Sequence, residues 1–330
     1  MSVSGRVTLR DIAARIGVSH VTVSLALKNH PDISRARREE VQALARKMGY
    51  RPDPALSSLM VYRRGRRNVA ISSSIAWINH WAHPKELRQH HEFDAYWRGA
   101  CESAERFGYH LDELIWPEDC SPERFEKILL TRNIRGILIP PHRSQPEWGS
   151  FHWENFSVIR FGLSVRSPDS HVVTADQMRM VILAMQKIRD RGYERIGFVM
   201  PKDFDAHLGG SFSGGFFASQ HMLGLKVKIP PLMTPSEVIE KSAGKALKEF
   251  ETWFRKHRPE AILTTNTFTP MLAGRMKLAI PGDVGMAGTS VSDIPLSAGI
   301  NQNSLEIGRA AVETLVSLIN HNDRGRPSAP

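Results

Sequence analysis

The segment TLRDIAARIGVSHVTVSLALKNHPDIS, Thr8 to Ser34, decides how the start of this 330-residue chain folds. Thr8 and Asp11 have the spacing of a capping box, in which each side chain accepts a hydrogen bond from the other residue's backbone amide. Aliphatic residues then recur at helical spacing as far as Ile16, and Gly17 can supply a left-handed turn. The segment therefore predicts a short helix that is followed by a tight turn.

Two more helices are predicted directly after this turn. Ser19 can cap a helix from His20 to about Leu27, with an apolar stripe formed by Val23, Ala26 and Leu27. Ser34 can cap a third helix, in which Val41, Leu44, Ala45 and Met48 lie on one face and which ends at Gly49. Three short helices with a glycine turn between the first two predict a helix-turn-helix unit, whose second helix enters the DNA major groove.

Positive charge is concentrated in the same part of the chain. The net charge is +10, and residues 1–67 hold 14 of the 44 Lys and Arg residues but only 5 of the 34 Asp and Glu residues. A nearly neutral remainder joined to a basic module is typical of a protein that binds a polyanion. The alternative is a solvated basic tail without a function.

The run LRDIAARIGVSHVTVSLALKNHPDIS, followed by GYRPDPALSSL, resembles the DNA-binding domain and hinge of the lactose-repressor (LacI/GalR) family of bacterial transcription regulators. The resemblance runs without a gap from about Val7 to Leu59. It implies phosphate contacts by Ser19, Thr22 and Ser34 and base contacts by His20 and Val21, assisted by Leu25. Lys28 stands where the family often has Asn and is expected to add a phosphate contact, and Thr8 and Ser24 are the other residues expected at the DNA. Leu25 stands where many family members have Arg, so its contact would be apolar, for instance with a thymine methyl group.

The link at residues 51–67 is expected to act as a hinge. Asp53 is a suitable N-cap and Pro54 suits the first helical position, so residues 55–60 can form a helix too short to be stable alone. The resemblance implies that paired hinge helices enter the minor groove, with Leu59 as the wedge between base pairs and Leu56 beside it. The alternative is a flexible linker that its four arginines keep soluble.

From Val69 onward, short aliphatic runs alternate with helical patterns. Strands are predicted at residues 69–78, 136–140, 157–162, 171–176, 195–200, 261–265 and 285–290, and helices at 95–107, 122–131, 177–191, 216–223, 238–256 and 305–320. Such alternation favours an α/β fold with parallel strands, in which ligands bind beyond the carboxyl ends of the strands.

This pattern resembles the periplasmic-binding-protein-like core of the same family, which implies two α/β lobes with a ligand cleft between them. The expected domains are a helix-turn-helix domain at 1–50, a hinge and basic linker at 51–67, and an effector-binding and dimerisation domain at 68–330. In the last of these, lobe 1 is expected at about 68–168 plus 303–322, and lobe 2 at about 169–302. Family members generally continue with further strands where this chain ends, and without a leucine-heptad tail a dimer is expected rather than a tetramer.

No pattern in the chain predicts an enzyme, a metal site or a cofactor. The glycine-rich run Gly209 to Gly215 has neither phosphate-binding spacing. The cluster HHEFD, His90 to Asp94, is interpreted as a solvated helix start because its adjacent histidines point to different sides of a helix. Cys101 and Cys120 fit no metal spacing and are expected to be reduced. The chain has no apolar run long enough to cross a membrane and no signal sequence, so a cytoplasmic, nucleoid-associated protein is expected.

The ligand site is expected in the loops that follow the strands. The candidate effector contacts are Trp77, Trp81, His142, Asp203, Phe204, Phe212, Phe268 and Ser290, whereas Trp116, Trp148, Trp153 and Trp253 are assigned to the core. Aromatic faces with a few polar groups suit a sugar or a similar small molecule. Two positions depart from the family, since Phe212 lies where an Arg is usual and Thr289-Ser290 lies near the usual cleft Asp.

The sequence thus predicts a ligand-responsive transcription regulator that binds a pseudo-palindromic operator as a homodimer. Repression is the expected mode of action. Its partners would be double-stranded DNA, a small-molecule effector that can be a carbohydrate, and a second copy of the chain. The alternative is a cytoplasmic small-molecule sensor whose basic domain associates with DNA only nonspecifically.

Overall fold

The computed structural model describes residues 7–27, 30, 32–48, 50, 73–117 and 119–327. The first three helices are α1 (Leu9–Ile16), α2 (His20–Leu27) and α3 (Arg35–Lys47). Their buried residues Ile12, Ala13, Val23, Ala26, Val41 and Ala45 form one small core of their own. The predicted helix-turn-helix arrangement is confirmed.

Five parallel strands form the sheet of the first lobe, in the order β2-β1-β3-β4-β5. They are β1 (Ser73–Asn79), β2 (Tyr109–Ile115), β3 (Gly136–Ile139), β4 (Ser157–Phe161) and β5 (His171–Val173). Helices α4 (His91–Arg106) and α5 (Pro122–Thr131) connect them, with 3-10 turns at Pro84–Gln89 and Trp153–Asn155. Separate apolar clusters lie around Ile75 and Trp77 and around Ala76 and Ile78, so the interior strand β1 is buried on both faces.

Four parallel strands form the second lobe, in the order β7-β6-β8-β9. They are β6 (Ile196–Pro201), β7 (Leu232–Thr234), β8 (Ala261–Thr264) and β9 (Gly285–Gly288). The helices of this lobe are α6 (Gln177–Asp190), α7 (Lys202–His207), α8 (Ser211–Met222), α9 (Ser236–Lys241), α10 (Ala243–His257) and α11 (Phe268–Arg275).

The last helix, α12 (Ser304–His321), returns to the first lobe and packs against α4 and against strands β3, β4 and β5. Its buried face consists of Gly308, Ala311, Val312, Leu315 and Val316. The chain therefore passes between the lobes at two places, after β5 and before Ser304.

Each of the seven predicted strand patterns overlaps an observed strand, and the α/β fold class with parallel sheets is confirmed. Strands β2 and β7 and helices α7 and α11 were not predicted. Strand β2 lies at a sheet edge and has only Leu111 fully buried, so it lacks the continuous apolar run of a central strand. The single helix predicted at 238–256 is two helices, which meet at Ser242.

In each sheet the second strand along the chain lies on one side of the first strand, and the third strand lies on the other side. The strand order therefore reverses between β1 and β3 in the first lobe and between β6 and β8 in the second. Loops leave such a switch point in opposite directions, so a crevice forms at the carboxyl ends of the strands. In the described part of the chain, no helix is both long and apolar enough to span a membrane.

Candidate DNA interface and ligand cleft

The capping box at the start of α1 is present. The Thr8 backbone amide donates to Asp11 Oδ2 at 2.7 Å, and the Asp11 amide donates to Thr8 Oγ1 at 3.4 Å. Hydrogen bonds from the Thr8 hydroxyl and amide lower the pKa of the Asp11 carboxyl. Gly17 ends the helix at φ +74°, a left-handed conformation that favours glycine. These local contacts fix the position of α1 relative to the turn that precedes α2.

Helix α2 has a buried side and an exposed start. Ser19 caps it, because the Thr22 amide donates to Ser19 Oγ at 3.0 Å. Val23 and Ala26 are buried in the three-helix core, whereas Val21 is 52% exposed and its neighbour His20 is also exposed. Ser24 and Leu25, next along the helix, are half-buried. The buried side of α2 therefore anchors the helix in the three-helix core, while its N-terminal end stays exposed.

The third predicted phosphate contact, Ser34, lies at the start of α3, where its hydroxyl accepts from the Arg37 amide at 3.4 Å. Gln42 ties α3 to α2 through a 3.2 Å hydrogen bond from Nε2 to the Ala26 carbonyl. Thr8, Ser19 and Ser34 thus each cap one of the three helices, where free amides favour anions. Lys28, Leu56, Leu59 and the whole hinge at 51–67 lie outside the described residues.

A cavity of about 720 Å³ lies between the two lobes at the carboxyl ends of their strands. Its walls include Trp81 and His142 from the first lobe and Asp203, Phe204, Phe212 and Ser290 from the second. These are six of the eight side chains that the sequence placed at an effector site. The structure brings them together around one space.

Trp77 and Phe268, which the sequence analysis also placed at the effector site, do not line this cavity. Trp77 is fully buried within β1, with its ring centroid 5.4 Å from that of Trp97 and 5.2 Å from that of Phe161. It lies inside the strand rather than beyond its end, and its side of the strand faces the core. Phe268 begins α11 and packs against the core of the second lobe. The four tryptophans assigned to the core do pack there.

Aromatic rings line the cavity from both lobes. On the first lobe the ring of Phe93 lies 6.4 Å from that of Trp81 and 6.0 Å from that of Tyr96. On the second lobe the rings of Phe204 and Phe212 lie 5.8 Å apart, and Phe204 is 39% exposed. Phe93 and Tyr96 were not predicted, because they belong to a helix rather than to a strand-end loop. Aromatic faces on opposite walls can hold the flat side of a sugar or another ring.

His142 is a structural part of the cavity wall. Its Nδ1 donates to the Pro140 carbonyl at 2.8 Å, and its Nε2 accepts from the His80 amide at 3.2 Å. Both ring nitrogens are thus occupied, and burial lowers the pKa of His142 to about 4. A ligand can contact the ring only through its face, since neither nitrogen is available.

Glu92 was not predicted as a site residue. HHEFD does start a helix, as predicted, and His91 is exposed, but Glu92 is not solvated. Glu92 is only 5% exposed and lines the cavity. Its carboxylate accepts from the Ser290 hydroxyl at 2.5 Å and from the Ser304 hydroxyl. Burial, with the Glu92 carboxylate nearby, raises the pKa of Tyr96 to about 12. The residues that bury Glu92 are about 200 positions away in sequence, so no local pattern could have shown it.

Charge on the cavity wall is mainly negative. Glu92, Asp203 and Asp293 line it, and Arg143 is the one Lys or Arg among the described lining residues. Arg143 Nη2 lies 3.5 Å from the carboxylate of Glu86, outside the cavity lining. No group of three or more His, Cys, Asp or Glu side chains in the described ranges is arranged to hold a metal ion.

Comparison with known proteins gives matches to both parts of the chain. Residues 8–53 match the model of the bacterial regulatory proteins of the lacI family, and residues 185–329 match that of a periplasmic binding protein-like domain. The HTH-type transcriptional repressor CytR of Escherichia coli K12 is 24% identical over 328 residues, which cover 94% of this chain and 89% of that protein.

Two solved structures share the fold over nearly the full length. The transcriptional regulator CelR in complex with cellobiose superposes with a TM-score of 0.60 at 18% identity, covering 97% of this chain and 95% of that one. The lac repressor dimer bound to its operator and the anti-inducer ONPF gives a TM-score of 0.53 at 16% identity, covering 98% and 96% of the two chains.

Proposed function

Because this chain belongs to the lacI family of bacterial regulatory proteins, we propose that it is a transcription repressor that binds a pseudo-palindromic operator as a homodimer. The observation that carries this proposal is the exposed start of α2, with His20 and Val21 free of the core while Val23 and Ala26 anchor the helix behind them. Side chains at the N-terminal end of a recognition helix reach base edges in the major groove. The protein acts on chromosomal DNA in the bacterial cytoplasm.

Phosphate contacts set the position of α2 on the duplex. Ser19, Ser34 and Thr8 lie at helix N-termini, where a hydroxyl and free amides together can bind a phosphate oxygen. Thr22 extends this set along α2, while Ser24 and Leu25 lie one turn beyond His20 and Val21. Lys28 is proposed as a further phosphate contact from its charge alone. Phosphate contacts supply affinity but no sequence information, so specificity is assigned to His20, Val21 and Leu25.

A homodimer places two α2 helices in successive major grooves, about one helical turn apart. The lac repressor, which shares this fold, is a dimer on its operator. In the proposed dimer, Leu59 and Leu56 of each hinge meet at the centre of the operator, where apolar wedges can open a base step.

The interlobe cavity is the proposed effector site. Its volume of about 720 Å³ and its aromatic walls suit a small ring-shaped ligand, and CelR, of the same fold, binds cellobiose. Among the described residues, three carboxylates line the space, and the one Arg of the lining is close to Glu86. Such a wall accepts hydrogen bonds from ligand hydroxyls and repels phosphate, so we assign a neutral carbohydrate or a similar polyhydroxylated molecule as effector rather than a phosphorylated one.

The proposal is tested by selecting bound sequences from a random DNA pool with the purified full-length chain, its His20→Ala variant and its Leu59→Ala variant. The expected result is one palindrome of two half-sites, degraded at half-site bases by the first change and at the centre by the second. His110→Ala, which changes an exposed histidine of β2, is the matched control and keeps the wild-type motif. If no sequence is enriched at any salt concentration at which DNA is bound, the chain is a sensor with only nonspecific DNA association.

A further inference from the structure

The start of helix α4 in the first lobe is capped by a residue of the second lobe. His90, the residue before α4, makes no side-chain capping hydrogen bond. Instead, the backbone amide of His91 donates to Asp293 Oδ1 at 2.7 Å. Asp293 follows β9 and is 202 positions away along the chain. The amides at a helix start need an acceptor, and here it comes from across the cleft.

A second bond crosses the cleft from the same turn of α4. Ser290, also in the loop after β9, donates its hydroxyl to Glu92 Oε1 at 2.5 Å. The other carboxylate oxygen accepts from the hydroxyl of Ser304 at the start of α12. Burying a carboxylate is unfavourable unless donors surround it, and the positive end of a helix dipole adds to their effect. Glu92 therefore loses part of its stabilisation when Ser290 moves away.

Ser290 also connects the two cross-cleft bonds. Its Oγ accepts from the backbone amide of Asp293 at 2.9 Å, which fixes the residue that caps α4. Three hydrogen bonds thus link His91 to Asp293, Asp293 to Ser290 and Ser290 to Glu92, and the peptide bond between His91 and Glu92 closes the ring, with two of the four residues on each lobe. We call these four residues the latch.

On the other side of the cavity the lobes are joined by longer contacts. Arg166 Nη2 lies 3.3 Å from the carbonyl oxygens of Ala206 and His207, and it is exposed. His207 Nε2 lies 3.3 Å from the His142 carbonyl oxygen. The latch bonds across the cleft end on carboxylates, and that from His91 to Asp293, at 2.7 Å, is shorter than these contacts to carbonyl oxygens at 3.3 Å. The latch is therefore the tighter of the two connections.

We propose that the latch sets the balance between open and closed lobes and so regulates the cavity that it borders. Glu92, Ser290 and Asp293 all line that cavity, so a ligand held there lies against the latch. Opening the lobes removes the cap from α4 in one lobe and the Glu92 contact from the loop in the other. That this balance controls DNA binding rests on the proposed function, whereas the latch itself does not.

Hydrogen–deuterium exchange of the full-length chain, without DNA or ligand, tests the latch in both directions. Asp293→Ala is expected to speed exchange about fivefold at residues 91–93, in the lobe that does not contain the substitution. Glu92→Ala is expected to speed exchange at residues 292–293 across the cleft. Asp293→Asn keeps a capping oxygen and is expected to restore nearly wild-type exchange at 91–93.

Asp283→Ala is the matched control, since Asp283 Oδ2 accepts from the Ala279 amide within its own lobe at 2.8 Å. It is expected to speed exchange near 279 and to leave 91–93 unchanged. Unchanged exchange at 91–93 in Asp293→Ala overturns the latch, as does a uniform acceleration throughout both lobes. If the exchange results support the latch but binding-site selection yields no palindrome, only the proposed function is contradicted.

Discussion

Gly99 of α4 and Gly308 of α12 lie where the two helices touch, and each occupies a place that a β-carbon could not. A β-carbon on Gly99 would collide with the Leu305 carbonyl oxygen, and one on Gly308 would collide with the Tyr96 carbonyl oxygen. The obstacles are backbone atoms, which cannot move aside as a flexible side chain can. This close approach also brings Ser304 at the start of α12 to Glu92 on α4.

Gly99→Ala is expected to destabilise the effector domain by about 1–3 kcal/mol, because steric strain outweighs the better helix propensity of alanine. Urea unfolding followed by tryptophan fluorescence measures this change, since all seven tryptophans lie between residues 77 and 253. Gly274→Ala in α11 is the matched control. A β-carbon there meets nothing within 4 Å, so this variant gains up to about 1 kcal/mol. Equal effects of the two changes would contradict the helix contact.

The buried His142 makes stability depend on pH. Its pKa is about 4 in the folded protein, below the ordinary value of 6.5, so the unfolded chain binds its proton first as the pH falls. From pH 7.5 to pH 5 this residue alone lowers the free energy of unfolding by about 2 kcal/mol. His142→Gln removes that contribution, and the difference between the two pH dependences isolates it from other groups. If the variant keeps the pH dependence of the wild type, His142 binds a proton as readily in the folded protein as in the unfolded chain.

Much of the DNA-binding domain could be predicted from sequence because its signals are local. Each signal depends on residues within about one helical turn of each other: the Thr8 capping box, the left-handed Gly17 and the apolar stripe around Val23. Asp293 could also have been found, since it follows β9 closely in a strand-end loop. The burial of Glu92 could not, because it depends on Ser290 and on the path of α12.

Leu25→Arg is expected to change the operator preference at one base pair of each half-site. An arginine at this position of α2 can make a bidentate contact to guanine, worth about 1–3 kcal/mol of discrimination, whereas leucine offers only apolar contact. Binding-site selection with the variant measures the change. Gln186→Arg adds the same charge to the exposed surface of α6 and should leave the motif as it is. A guanine preference in both variants, or in neither, would remove Leu25 from the base contacts.

Phe204→Ala is expected to weaken effector binding about fivefold or more, because the exposed ring on the second-lobe wall is lost. Isothermal titration calorimetry with a carbohydrate that stabilises the wild-type chain measures this effect. Phe217→Ala is the control, since Phe217 is 52% exposed but does not line the cavity. An equal loss in both variants would mean that the ligand does not lie against Phe204.

We propose that this chain recognises a DNA sequence rather than DNA in general. The most direct test compares its affinity for a selected palindrome and for a scrambled duplex of equal length and composition, by fluorescence anisotropy at physiological salt. We expect at least about a thousandfold preference for the palindrome. This preference should largely disappear in a His20→Ala, Val21→Ala double variant that still binds scrambled DNA. Equal affinity for the two duplexes, falling steeply together as salt rises, would contradict it.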